Sequence, residues 1–150
     1  MTTELTLELF QTDLKEAMKA REPMRVDTLR MVISALKNKK IDLRAELTHE
    51  DILTVLSTEA KKRREAFEAF SQGARQELAD KEAAELVIIE GYLPKQLTED
   101  EVRELVAQAK EKTGASTRKE MGKVMGIIVP QIKGRFDGGK AREIVTSMLE

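Results

Sequence analysis

The chain has 150 residues, no cysteine, 35% charged and only 3% aromatic residues, and a formal net charge of −1. That length admits one domain or two small ones, and the missing cysteine excludes disulfides, thiolate metal sites and cysteine nucleophiles. The near-neutral balance excludes a global basic field, so contact with a nucleic acid has to come from a local patch.

Few aromatic residues and abundant Glu, Lys, Ala, Leu and Met favour helices over a β-sandwich. The periodicity predicts a first helix over about Glu4 to Lys19, with Leu5, Leu9, Leu14 and Met18 near one face. Pro23 suits the first turn of a second helix reaching about Ala45, with Val26, Leu29, Val32, Ile33 and Leu36 inward. Thr48 and Asp51 read as a capping pair for a third helix carrying Ile52, Val55, Leu56, Ala60, Phe67 and Phe70, and Ser71-Gln72-Gly73 as its end. A fourth helix is expected from Arg75 to Glu90, with Leu78, Leu86 and Ile89 inward.

Gly91-Tyr92-Leu93-Pro94 is the clearest break, and it places a domain boundary between residues 1–92 and 93–150. Beyond it, Thr98 and Glu101 form a capping pair for a helix with Val102, Leu105, Val106 and Ala109 that stops at Gly114. Thr117 and Glu120 repeat the pattern. Pro130 should kink or end the helix that follows, and Gly134 should close it. Asp137 caps a last helix with Ile144, Val145, Met148 and Leu149. The expected architecture is all-α: a helical domain of four helices, then a smaller one of three.

Catalytic constellations are missing from the sequence. His49 is the only histidine; it lacks the partners a metal would need and reads as an exposed surface residue. No nucleophile elbow, P-loop or dinucleotide fingerprint is present. The runs Lys61-Lys62-Arg63-Arg64 and Lys37–Lys40 read as solvated helix faces, the first paired with Glu59, Glu65 and Glu68; the second, with Arg44 and only Asp42 nearby, is the better candidate surface of the two.

The segment from Glu120 to Val145 is different. It holds five of the chain's 8 glycines, at Gly122, Gly126, Gly134, Gly138 and Gly139, although glycine inside a helix costs about 1 kcal/mol relative to alanine. From Arg118 to Arg142 there are seven basic and two acidic residues, a local excess of five positive charges. Gly122 and Gly126 share one helix face and Lys119 and Lys123 a neighbouring one. Two readings stay open: close helix packing across the small residues, or a surface facing a polyanion.

The stretches TLRMVISALKN, GARQELADKEAAEL, YLPKQL and MGKVMG followed by KGRFDGG resemble, in this order, the YqeY family, stand-alone relatives of the tail domain of the GatB subunit of tRNA-dependent amidotransferases. Pro130, Phe136 and Gly139 depart from the family pattern. The resemblance implies an all-helical N-terminal domain joined to a three-helix tail that contacts tRNA, with no ligase chemistry of its own: glutamine-dependent carbon–nitrogen ligation would be an association. It carries over to Gly122, Lys123, Gly126, Lys133, Gly134 and Arg135.

The expectation is therefore a non-catalytic adaptor without cofactor or metal that binds tRNA. Lys119, Lys123, Lys133, Arg135, Lys140 and Arg142 would meet phosphates, and Gly122 and Gly126 would let the backbone approach the RNA. Amidotransferase or aminoacyl-tRNA synthetase machinery is the expected protein partner, with neither DNA nor a membrane involved. The start lacks the features of a signal peptide, and a cytoplasmic location is expected. The alternative is a helical protein-interaction module that binds no RNA.

Overall fold

The computed structural model describes residues 4–150. Among the described residues there are seven α-helices and no strand: α1 (Leu7–Lys19), α2 (Pro23–Leu43), α3 (His49–Gln72), α4 (Gln76–Glu90), α5 (Glu99–Thr113), α6 (Met121–Ile132) and α7 (Gly138–Met148), with a 3₁₀ turn at Arg118–Glu120 before α6. None of these helices is long and apolar enough to cross a membrane. The chain divides into two compact units, one ending at Pro94 and the other spanning Lys95–Glu150.

In the first unit α3 packs most extensively on α4, α1 on α2, and α2 against both α3 and α4. Phe10, Leu29, Leu36, Ile52, Leu56 and Ile89 are fully buried in one core, and Leu93 packs against it. Burying a side chain of this size contributes roughly 1.5–3 kcal/mol.

Caps set the helix starts. Thr6 Oγ1 accepts from the Leu9 N–H at 3.1 Å, so α1 begins at Leu7 and not at Glu4. Leu5 is nevertheless buried just ahead of the cap. At α3 the Thr48–Asp51 capping box is complete in both directions.

Three apolar residues of the predicted patterns are exposed. Met18 is 49% exposed, Leu78 39% and Phe67 36%. The inward face of α1 runs through Phe10 and Ala17, and that of α4 through Ala79, Glu85 and Ile89. Small alanines and one acid complete the buried stripe there beside Phe10 and Ile89, and a pattern weighted towards large apolar residues passes over them.

The end of α3 shows a related displacement. The Arg75 N–H reaches the Phe70 carbonyl at 2.8 Å and the Ala74 N–H the Ser71 carbonyl at 3.4 Å. This is the double closure that wants a left-handed residue just beyond the cap. Ala74 fills that position with φ 57°, while Gly73, one residue early, has φ −84°.

Among the described residues, Arg63 and Glu85 are the first unit's buried charged residues, 5% and 3% exposed. Arg63 Nη1 donates to the Glu59 carboxylate and to the Glu59 carbonyl, both at 3.2 Å. Its Nε lies 3.5 Å from Glu85 on α4, an ion-pair contact without hydrogen-bond geometry. Burial, and after it the nearby Glu82, push the Glu85 carboxyl above the usual range, against the pull of Arg63.

The second unit has its own core of Val102, Val106, Val124, Ile128, Ala141 and Val145. The Thr98–Glu101 capping box starts α5, and Gly114, at φ 72°, ends it in the left-handed region. Pro130 neither stops α6 at once nor extends it far: the helix runs two residues on, to Ile132. Gly134, at φ 74°, then turns the chain, with the Arg135 and Phe136 N–H groups both bonded to the Ile132 carbonyl at 2.8 and 3.0 Å.

Two outcomes follow for the first unit. Ala74→Gly should raise stability by up to about 1 kcal/mol, because it relieves a left-handed alanine; urea unfolding reads this, and a lowered midpoint would contradict the closure described. Arg63→Met should cost about 3–5 kcal/mol near neutral pH, by leaving the buried Glu85 carboxylate without its ion-pair partner. Since the folded Glu85 carboxyl holds its proton more tightly than the unfolded one, it favours the fold at low pH and loses that contribution as pH rises through its folded pKa. The deficit of Arg63→Met should accordingly shrink on acidification, and a deficit independent of pH would show that Arg63 acts by packing alone.

Candidate nucleic-acid interface

The residues from Thr117 to Arg142 form a continuous region of the second unit. The expected N-cap at Thr117 is replaced by another device. The Thr117 side chain does not cap; it donates, with the Ser116 N–H, to the Glu120 carboxylate, each at 3.3 Å. The Ser116 N–H, followed by the Thr117 groups, holds the Glu120 carboxyl below its usual range. The chain enters α6 through a 3₁₀ turn, and Lys123 pairs with Glu120 at 3.7 Å on the surface.

The Lys133-Gly134-Arg135 turn has an internal role that the sequence did not disclose. The Leu97 N–H donates to the Arg135 carbonyl at 2.8 Å, and Gln96 Nε2 to the Gly134 carbonyl at 2.9 Å. Arg135 Nε donates to the Lys95 carbonyl at 3.1 Å and its Nη1 to the Gln131 carbonyl at 3.4 Å. The guanidinium expected on a phosphate is engaged in fastening the segment before α5 to the turn after α6.

Gly122 and Gly126 are exposed, and a Cβ built on either would meet no atom within 4 Å. Close helix packing across these glycines within the chain, one of the two readings left open above, is thus not what they serve. Pro130 adds a second feature to this face. It has no N–H, so the Gly126 carbonyl cannot receive the ordinary helical bond from four residues on.

Four cations here make no side-chain hydrogen bond or ion pair among the described residues: Arg118, Lys119, Lys140 and Arg142. The Leu149–Glu150 segment positions the first of them. The Glu150 N–H donates to the Ser116 carbonyl at 2.9 Å, and the Arg118 N–H to the Glu150 carbonyl at 3.0 Å. Arg118 is thereby brought beside α7, where it and Arg142 line an open depression of about 520 Å³ with Gly139, Glu143, Thr146 and Ser147. The Asp137 side chain caps α7 through the Lys140 N–H at 3.0 Å. The structure thus brings Arg142 together with Arg118, which was counted in the local charge but not among the expected contacts.

Several basic residues of the first unit are paired with carboxylates. Lys40 pairs with Glu46 at 3.0 Å, Lys62 with Glu59 at 3.6 Å, and Arg64 with Glu90 at 3.1 Å. His49 is half-buried and not a plain surface residue: its Nδ1 accepts from the Leu5 N–H at 2.9 Å. Tyr92 packs on Phe10 with ring centroids 4.6 Å apart, donates to Asp13 at 2.5 Å and accepts from Arg25 at 3.3 Å. Burial, with the Asp13 carboxylate, raises its phenol above the usual range. The chain's one tyrosine is therefore unavailable for stacking on a base. A depression of about 360 Å³ lies beside it, lined by Leu5, Leu9, Asp13, His49 and Leu53 among others. Among the described residues no group of three or more His, Asp or Glu could hold a metal ion.

Comparison with known proteins finds relatives that share the name altered inheritance of mitochondria protein 41, mitochondrial. The protein of Pyrenophora tritici-repentis is 29% identical over 87% of this chain and 73% of its own length. Those of Eremothecium gossypii and Kluyveromyces lactis are 34% and 36% identical over 56% and 55% of this chain, and over 46% and 45% of their own lengths. The chain thus matches about half the length of these last two proteins. Their names assign these relatives to mitochondria, which overturns the cytoplasmic location expected from the sequence. Neither these names nor the family description states a catalytic activity. The Yqey-like protein family matches residues 7–149, nearly the whole chain, and the chain belongs to that family.

Proposed function

We propose that this protein is a non-catalytic RNA-binding adaptor whose ligand is tRNA, with the second unit acting as a tail domain like that of the amidotransferase subunit. The observation that carries the reading is the local excess of positive charge, seven basic against two acidic residues from Arg118 to Arg142. Of these, Arg118, Lys119, Lys140 and Arg142 have no side-chain partner among the described residues. Unpaired cations carry the counterion-release term that dominates binding to phosphate backbones. The open glycine face of α6 supports the same reading, since a backbone without side chains in the way suits close approach to a folded RNA. The Gly126 carbonyl, deprived of its helical donor by Pro130, is an acceptor suited to a 2′-hydroxyl.

Recognition in this reading is by shape and phosphate, because Tyr92 is engaged within the first unit. Lys123, paired with Glu120, and Arg135, bonded to backbone carbonyls, contribute less than Lys119, Lys140 and Arg142. Amidotransferase or aminoacyl-tRNA synthetase machinery is the partner we propose for the adaptor. A second reading, protein interaction without RNA, draws on Ile41 and Val87, which are 71% and 70% exposed. They stand on separate helices, and single exposed apolar residues are ordinary on protein surfaces.

Binding of tRNA across a salt series tests the proposal. Affinity should fall steeply with salt, and Lys119→Ala with Lys140→Ala should reduce the slope by about one for each cation removed. Absence of binding at about 50 mM salt would overturn the RNA reading; recovery of a stoichiometric protein after RNase treatment would then favour the interaction module.

A further inference from the structure

The depression between the 3₁₀ turn and α7 is more specific than a charged surface. Arg118 and Arg142 approach it from two separate elements, and neither guanidinium has a partner among the described residues. The Thr146 and Ser147 hydroxyls also line it. Their hydrogens go to the Arg142 and Ile144 carbonyls, at 2.9 and 2.7 Å, which orders the wall without offering donors. Glu143 lies on the same lining, so the balance is two cations to one carboxylate. Two planar forks around one opening suit a tetrahedral phosphate oxyanion, which guanidinium groups grip with paired hydrogen bonds. The Arg118 backbone is fixed beside α7 by the Glu150 carbonyl at 3.0 Å.

We propose that Arg118 and Arg142 form a seat for a phosphate group. This rests on the RNA-binding reading for its source: the phosphate is one of the RNA backbone, held at a fixed point while the other cations act through the general field. Arg118 becomes the key residue of the seat, and the seat sets where the RNA lies against α7.

Two experiments separate this proposal from the reading beneath it. In the first, tRNA affinity at about 0.1 M salt is compared for Arg118→Gln with Arg142→Gln and for Arg103→Gln with Lys112→Gln, which removes the same charge from exposed positions of α5. The seat predicts a loss of about tenfold or more for the first pair and at most about threefold for the second, with Arg118→Lys and Arg142→Lys recovering only part. Equal losses in the two pairs would mean that only net charge matters, and would overturn the seat while leaving RNA binding intact. In the second, inorganic phosphate is titrated into the full chain and followed by amide NMR. Shifts centred on Arg118, Gly139 and residues 142–147, abolished in the Arg118→Gln, Arg142→Gln variant, are expected. Such shifts in a protein that binds no tRNA would keep the phosphate seat and reject RNA as its source. No localised shift would overturn the seat.

Discussion

The hydrogen bond from the Leu97 N–H to the Arg135 carbonyl, at 2.8 Å, is the contact on which the second unit's arrangement depends. It ties the approach to α5 to the exit from α6, and Gln96 and Arg135 reinforce it from either side. A left-handed Gly134 makes the turn possible, and this is a conformation an L side chain adopts only with strain. With both ends fastened, α5, α6 and α7 close around a small apolar core. So small a unit buries too little surface to be casual about its loops, and its most conspicuous basic motif is consequently engaged in holding the fold.

That engagement redistributes the functional argument. A cation bonded to carbonyls or paired with a carboxylate offers little to a polyanion until the existing contact is given up. Arg135, Lys123 and the first unit's Arg63 and Arg64 are of this kind. Arg118, Lys119, Lys140 and Arg142 are not. The glycine face of α6 is the complement of these cations: open in this structure, with a backbone carbonyl that Pro130 leaves without its helical donor.

Much of the fold was legible because caps and breakers are local. The Thr48–Asp51 and Thr98–Glu101 boxes, Pro23 at a helix start and Asp137 ahead of α7 stand where their chemistry requires. The misses share a different cause. Met18 and Leu78 are large and apolar but lie beside buried stripes that include Ala17 and Ala79, which periodicity weights too lightly. The buried Arg63 was hidden in a basic run, because its partner Glu85 lies on another helix. The site was read less well than the fold for the same reason. Which cation is unpaired depends on partners far away in sequence, such as Lys95 for Arg135, and the placing of Arg118 beside α7 depends on Glu150. His49 likewise became half-buried through Leu5.

Lysine footprinting of the full chain with and without tRNA tests the central claim most directly, by reading the acylation rate of each lysine by mass spectrometry. The account predicts protection at Lys119 and Lys140, with the Lys37–Lys40 and Lys61–Lys62 runs of the first unit unchanged. Protection centred on those runs, or none under conditions where tRNA is bound, would contradict it.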